Sequence, residues 1–247
     1  MYTSKITSPV VQQYWNDQFQ GEILCNHPKF TLLLNEDLEE ESQIMTLEFP
    51  SGNNWAMISP KVANHLKGTN LLHLDFEKFI DLLKHKQLFL YGADYIFYFP
   101  EEEKSVILNL NDPQNMRPLT KNDTDYFTIF ESLSTEEDLD GAFVELNHWK
   151  VFGIFENNQL ITVTSVYPWR EDSKLADIGV ITLDNFRGKG YARQAVQVIS
   201  KATLQDGYEP QYRCQLNNTA SVALAKKLNL SLFAKWNCIS PESVEKL

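Results

Sequence analysis

The stretch ADIGVITLDNFRGKGYARQAVQVISKA, residues 176–202, changes its apolar period halfway along, and that change decides how the chain is read. Ile178, Val180 and Ile181 belong to a β-rich run closed by Asp184 and Asn185, which predicts a strand ending in a turn. Beyond the turn, Ala192, Ala195, Val196, Ile199 and Ala202 recur at the spacing of one helix face, with Gly207 as a stop. Arg187, Gly188, Lys189, Gly190, Tyr191 and Ala192 therefore stand where a strand hands over to a helix N-terminus.

The first turn of a helix leaves backbone N–H groups without partners and carries the positive end of the macrodipole, so this junction suits an anion. Gly188 and Gly190 lack a Cβ and let the backbone approach a phosphate, while Arg187 and Lys189 add positive charge; a pyrophosphate is the expected guest. Neither a Walker A loop nor the complete dinucleotide fingerprint G-x-G-x-x-G is present. Downstream, Gln211 to Leu216 reads as another strand. After it Asn218 is placed to cap a helix whose one face carries Ser221, Leu224, Ala225 and Leu228, and Asn229 can take the left-handed conformation at its end.

Strand, glycine turn, helix, strand, asparagine, helix: this order resembles the GNAT superfamily of acyl-CoA-dependent N-acetyltransferases. Arg187, Gly190 and Ala192 match its acyl-CoA loop, Q/R-x-x-G-x-G/A. Asn218, Ser221, Leu224, Lys227 and Leu228 match the segment N-x-x-[AS]-x-x-L-x-x-K-L. Three positions depart from the pattern: Ala225 stands where many members have tyrosine, Asn229 where glycine is usual and Leu230 where phenylalanine is usual. The tyrosine matters most, because in the family it is the usual general acid. The resemblance covers residues 116–247, with its specific motifs between Val180 and Leu230. A two-part layout with a C-terminal GNAT domain is also similar, more loosely, to the zwittermicin-resistance type of acetyltransferase.

The resemblance implies acetyl-CoA as co-substrate. Its pyrophosphate would lie on Arg187, Gly188, Lys189, Gly190, Tyr191 and Ala192, its pantetheine arm along the edge of the strand through Val180, Ile181 and Thr182, with Asn218 and Ser221 beyond. The implied reaction is direct transfer to a primary amine. A base must take the amine's proton, and the candidates are the acids Glu145, Glu171, Asp172 and Asp177 near the start of the cradle strand. A thiol of the cysteine type has a pKa near ~8.5, so its thiolate leaves without a strong acid. Trp149, Tyr167 and Trp169 are candidates for an acceptor pocket, while the five histidines show no ligand spacing, Cys214 reads as a buried thiol, and no metal site is expected. The rival function is a non-catalytic acyl-CoA sensor or interaction module that kept the cradle after losing the acid.

A chain of 247 residues, 43% hydrophobic and 22% charged, has the composition of a soluble globular protein and room for one large or two small domains. No apolar run is long enough to span a bilayer, and Met1 to Val10 lacks the apolar core of a leader peptide, so a cytoplasmic protein is expected. Three cysteines without metal-type spacing argue against a disulfide framework. A net charge of −11 excludes nucleic acid as an expected partner and favours a cationic small-molecule acceptor.

The fold class expected is α/β: a mixed-sheet GNAT-like domain over residues 116–247, preceded by a mixed α/β domain, 1–115, of unassigned role and compatible with a degenerate copy of the first. The boundary is set at the turn-rich Asn111 to Asn115. Helices are expected from Ser8 to Phe19, from Ser59 to Leu66 and from Asp75 onward, and a hairpin at Ile44 to Ile58. Leu88 to Phe99 and Val106 to Leu110 read as strands, Ser134 to Asn147 as a helix with a Ser134–Glu137 capping box, and Val151 to Tyr167 as a hairpin turning at Asn157 and Asn158.

Overall fold

In the computed structural model, which describes residues 7–247, every strand joins one mixed sheet. Residues 1–6 lie outside the described residues. The chain opens with α1 (Pro9–Gln18), capped by Ser8 with Pro9 in its first turn. There follow β1 (Glu22–His27), β2 (Phe30–Leu34), β3 (Ile44–Glu48) and β4 (Asn54–Ile58). Then come α2 (Pro60–His65), α3 (Phe76–His85), β5 (Asp94–Tyr98) and α4 (Glu101–Leu108). The second half runs β6 (Met116–Pro118), α5 (Thr124–Ser132), α6 (Glu136–Ala142), β7 (Lys150–Glu156), β8 (Gln159–Pro168) and β9 (Leu175–Thr182). It ends with α7 (Tyr191–Gln205), β10 (Glu209–Gln215), α8 (Thr219–Lys227), β11 (Ser231–Cys238) and α9 (Pro241–Val244).

The eleven strands lie in the order β1-β2-β4-β3-β11-β5-β10-β9-β8-β7-β6. A single sheet therefore runs where two had been expected, and its two halves are interleaved. β5, from before Asn111–Asn115, is bracketed by β10 and β11, from after it, and β11 pairs in turn with β3. The turn itself is tied down: Lys201 Nζ donates to Leu110 O at 2.7 Å and to Asp112 Oδ1 at 3.0 Å, and Phe155 N–H donates to Asn115 O.

Apolar burial follows this layering. α1 sets Val11 and Trp15 against Leu47, Ile96 and Tyr98, and α2 and α3 set Val62, Phe79 and Leu83 against β1, β2 and β4. α7 and α8 cover one face of the central strands through Val196, Ile199, Ala225 and Leu228. α5 and α6 cover the other face, with Phe127 and Phe130 on Val163 and Ile181.

Local expectations at turns hold: Asn157 and Asn158 have φ of 48° and 63°, and Gly207 and Asn229 end their helices at positive φ. Three element assignments are corrected. Val106–Leu110 is not a strand, because Glu101, Glu102 and Glu103 after Pro100 stabilise a helix N-terminus and carry the chain into α4. The helix expected over Ser134–Asn147 is capped by Thr135, whose side chain accepts from Asp138 N–H, and it stops at Phe143, which turns left-handed at φ 45°. The strand expected over Leu88–Phe99 is regular only at Asp94–Tyr98, with Leu90 making an isolated bridge to Ile239.

Candidate active site

β9 and β10 are parallel neighbours only from Leu175 to Asp177, opposite Glu209 to Gln211. Beyond that point they part. β9 stays paired with β8 as far as Thr182, and β10 stays paired with β5 as far as Gln215. Trp169 N–H donates to Leu175 O and Leu183 N–H to Ile161 O, so odd-numbered residues of β9 bond toward β8. By alternation the Ile178 N–H closes the last bridge to Gln211, and beyond it Val180 and Thr182 direct their backbone groups into the opening, where the Thr182 carbonyl accepts from Arg187 Nε.

The opening ends at the cradle. After a 3-10 turn, Asp184–Phe186, the backbone passes through Gly188 and Gly190 at φ 78° and 92°, values that favour glycine, and enters α7. A Cβ at either glycine would meet no protein atom within 4 Å. Arg187 N–H donates to Asp184 O and Gln194 N–H to Gly190 O. Among the described residues, the six N–H groups between them, Gly188 to Arg193, find no protein acceptor. Six unpaired donors at one helix N-terminus, beside a strand edge with free backbone groups, fit an acyl-CoA pyrophosphate and its extended amide-bearing arm.

The cradle's cations are placed differently from expectation. Arg187 Nε donates to Thr182 O at 3.0 Å, and its guanidinium pairs with Asp138 at 2.6 Å and Asp184 at 3.1 Å, tying the loop to α6. Lys189 Nζ lies 4.9 Å over the Phe186 ring. Tyr191 OH bonds to Glu156. Arg193, in the first turn of α7 and exposed, was not singled out by the sequence motif, although its position three residues after Gly190 was the signal. Asn218 caps α8, accepting from Ser221 N–H at 2.9 Å. Ala225 is fully buried. The Tyr212 hydroxyl lies against Ser221, and burial pushes it above the ordinary tyrosine range despite that partner.

Where the strands diverge, odd-numbered side chains of β9 face α6. Asp177, 2% exposed, accepts from Gln211 Nε2 at 2.5 Å and Arg213 Nε at 2.9 Å, with Tyr167 OH at 3.3 Å. Arg213 NH1 reaches Asp94 on β5 at 2.7 Å, and its guanidinium stacks over Trp169 and Trp236. Burial works against the charged Arg213, but the Asp177 and Asp94 carboxylates outweigh it and push its pKa up. Gln211 also accepts from Tyr98 OH, which in turn accepts from Trp15 Nε1 at 2.9 Å. The sequence read Asp177 as a lone acid; the fold gives it three donors.

Beside this network, His148 Nδ1 stands 2.8 Å from Ser165 Oγ and its Nε2 stands 3.9 Å from Glu145 Oε2. The imidazole packs on Tyr167 at 4.7 Å and on Phe143 at 5.1 Å between ring centroids. Burial lowers its pKa, and Glu145 partly offsets that. The sequence reading left His148 among ordinary packing residues. Glu171 and Asp172 sit exposed in the turn between β8 and β9, outside this cluster. Trp149 meets Tyr208 edge-on at 4.9 Å between ring centroids, while Trp169 packs edge-on against Trp236. Among the described residues no group of His, Cys, Asp and Glu could hold a metal, and no helix is long and apolar enough to cross a membrane.

A family model described as "Acetyltransferase (GNAT) domain" matches residues 100–231, more than half of the chain. No curated protein matches. Among solved structures, a GNAT-family protein from Novosphingobium aromaticivorans shares 15% identity at a TM-score of 0.47, covering 62% of this chain and 66% of its own. An acetyltransferase from the GNAT family of Colwellia psychrerythraea shares 14% at 0.46, covering 61% and 57%. The chain thus spans less than two thirds of either. A GCN5-related N-acetyltransferase-like protein from Streptococcus suis shares 17% at 0.45, covering 83% and 87%. Nothing in these matches supports the narrower zwittermicin-resistance type.

Proposed function

The chain belongs to the GNAT acetyltransferase family, and from that premise we propose that it transfers an acetyl group from acetyl-CoA directly to a primary amine of a small molecule. The observation that carries the reading is two sets of unpaired donors, the strand-edge N–H groups of Val180 and Thr182 and the six N–H groups at Gly188 to Arg193. These groups would hold the pyrophosphate and the pantetheine arm, and a free N–H of the same β9 edge would stabilise the oxyanion formed at the thioester carbonyl. Acetyl-CoA supplies the activated acetyl group; the protein supplies alignment, oxyanion donors and a proton acceptor.

Ala225 favours the rival reading of an acyl-CoA sensor, since a buried methyl group cannot donate a proton to the thiolate. The low basicity of a thiolate answers it. The acceptor is expected to be cationic, because the net charge is −11 and Glu145 stands at the site.

Calorimetry and thiol release test both halves. Wild-type protein is expected to bind acetyl-CoA and to release free thiol above background hydrolysis with cationic amines, at a rate that falls with added salt. Gly190→Val is expected to abolish binding, because valine cannot adopt φ 92° without strain and its side chain enters the open side of the cradle. Unchanged affinity in Gly190→Val would sink the acyl-CoA assignment, and binding without any thiol release would favour the sensor.

A further inference from the structure

We propose that His148 is the group that takes the proton from the acceptor amine, with Glu145 and Ser165 holding its ring. The inference rests on the acetyltransferase reading and adds a residue that the sequence did not mark. Three observations lead to it.

The first is placement. Ser165, which His148 contacts through Nδ1, is the register partner of Gly179, two residues past the point where β9 leaves β10. His148 is thereby fixed on the α6 face of the sheet, opposite the length of β9 whose backbone is free. The second is that the imidazole is held but not consumed. Nδ1 is engaged by Ser165, whereas Nε2 has only the Glu145 carboxylate at 3.9 Å, too far for a direct hydrogen bond and spaced for an amine or water to stand between. The Phe143 and Tyr167 rings stack against the imidazole and restrict its rotation.

The third is elimination. Both oxygens of Asp177 already accept from Gln211, Arg213 and Tyr167, so a further proton would have to displace one of these donors. Glu171 projects from an exposed turn. Glu145 is half exposed and faces His148, a position that stabilises an imidazolium once it forms.

The chemistry balances. The ammonium passes one proton to Nε2 of a neutral His148, and the freed amine attacks the thioester carbonyl carbon. As the C–N bond forms and the C–S bond breaks, the electron pair leaves on sulfur. The second nitrogen proton ends on that thiolate, giving amide, free thiol and a protonated His148 that returns its proton to water. Burial assists, since it keeps the ring neutral near pH 7. The groups facing the ring are Glu145 from its own loop and Ser165 and Tyr167 from β8, with Asp177 and Arg213 one contact further on.

The test uses full-length protein, acetyl-CoA and a panel of tyramine, spermidine and putrescine, following free thiol with the best-used amine. His148→Gln keeps a polar group for Ser165, and His148→Ala does not. Both are expected to bind acetyl-CoA within about twofold of wild type and to lose about 100-fold or more in kcat. The acid limb of the kcat/KM profile should vanish in both, and free imidazole should partly restore His148→Ala. Glu145→Gln is expected to move that limb to lower pH. Retained kcat and an unchanged acid limb in His148→Gln would overturn the assignment, as would a parallel loss of acetyl-CoA affinity, the mark of a purely structural residue. If the wild type itself releases no thiol with any panel member, the acetyltransferase reading fails, and the role of His148 falls with it.

Discussion

Replacing Arg213 by methionine probes how the two halves of the sheet are joined. The guanidinium links Asp177 on β9 at 2.9 Å to Asp94 on β5 at 2.7 Å, and it lies between two indole rings. Methionine fills similar volume between Trp169 and Trp236, so the cavity contribution is small and the loss is electrostatic. It leaves two carboxylates, with side chains 3% and 21% exposed, without their cation. Removing one member of a buried ion pair costs about 3–5 kcal/mol. With Arg213 itself 26% exposed, solvent screening reduces this to about 2–4 kcal/mol, the lost cation–π contacts included. The sign of the pH dependence is fixed too. Burial already raises the pKa of Asp94, and Arg213 is the main influence holding it down. Without Arg213 the folded state binds a proton at Asp94 more tightly than the unfolded chain does. The variant's stability therefore falls as pH rises through the raised folded value of Asp94. Urea unfolding near pH 7 and near pH 5 should show the larger penalty at the higher pH, and Arg213→Met with Asp94→Asn should recover part of it. A penalty under about 0.5 kcal/mol near pH 7 would place the change in the range of an ordinary surface substitution and refute the reasoning. So would an equal penalty at both pH values.

Gly179→Ala is expected to cost about 1–3 kcal/mol, because its Cβ would overlap the Ala142 carbonyl oxygen and approach Val144 Cγ2 at 2.9 Å. Calorimetry should show a Tm lower by roughly 2–4 °C for each kcal/mol, and an unchanged Tm would show that the α6 loop does not rest on β9 as described. A chain beginning at Met116 is expected not to fold cooperatively, since β10 loses its partner β5 and β11 loses both β5 and β3. A single sharp calorimetric transition and a dispersed amide spectrum from that chain would make residues 116–247 a free-standing domain.

The glycine turn and its flanking strand and helix were legible because they are local and made of backbone. A strand, two glycines at positive φ and a helix N-terminus lie within residues 175–193, and their period and composition mark them without knowledge of anything distant. The same holds for the Asn218 cap and the Asn157–Asn158 turn. Val106 to Leu110 does not form the expected strand because its apolar letters suit a helix as well, and the three preceding glutamates decide the matter through the helix dipole. The single sheet was not legible, because nothing local in β5 records that it will insert between two strands more than a hundred residues downstream.

That insertion also explains why the polar network around Asp177 was not legible. Its polar residues come from β5, the loop after α6, β8, β9 and β10, and their roles are set by which of them become neighbours. Asp177 looks like a free acid in sequence, yet Gln211 and Arg213 occupy it once β10 lies alongside, and Asp94 completes the arrangement from a segment outside residues 100–231. His148 looks like one of five unremarkable histidines until β8 brings Ser165 and Tyr167 to its ring. The consequence is mechanical as well as chemical. Because Arg187 joins the glycine turn to Asp138 on α6, and the α6 loop rests on Gly179 and carries Phe143, Glu145 and His148, one helix touches both the proposed pyrophosphate end and the proposed proton acceptor. A shift of α6 on cofactor binding would therefore move the base relative to the free edge of β9, which ties the acceptor geometry to occupancy of the cradle.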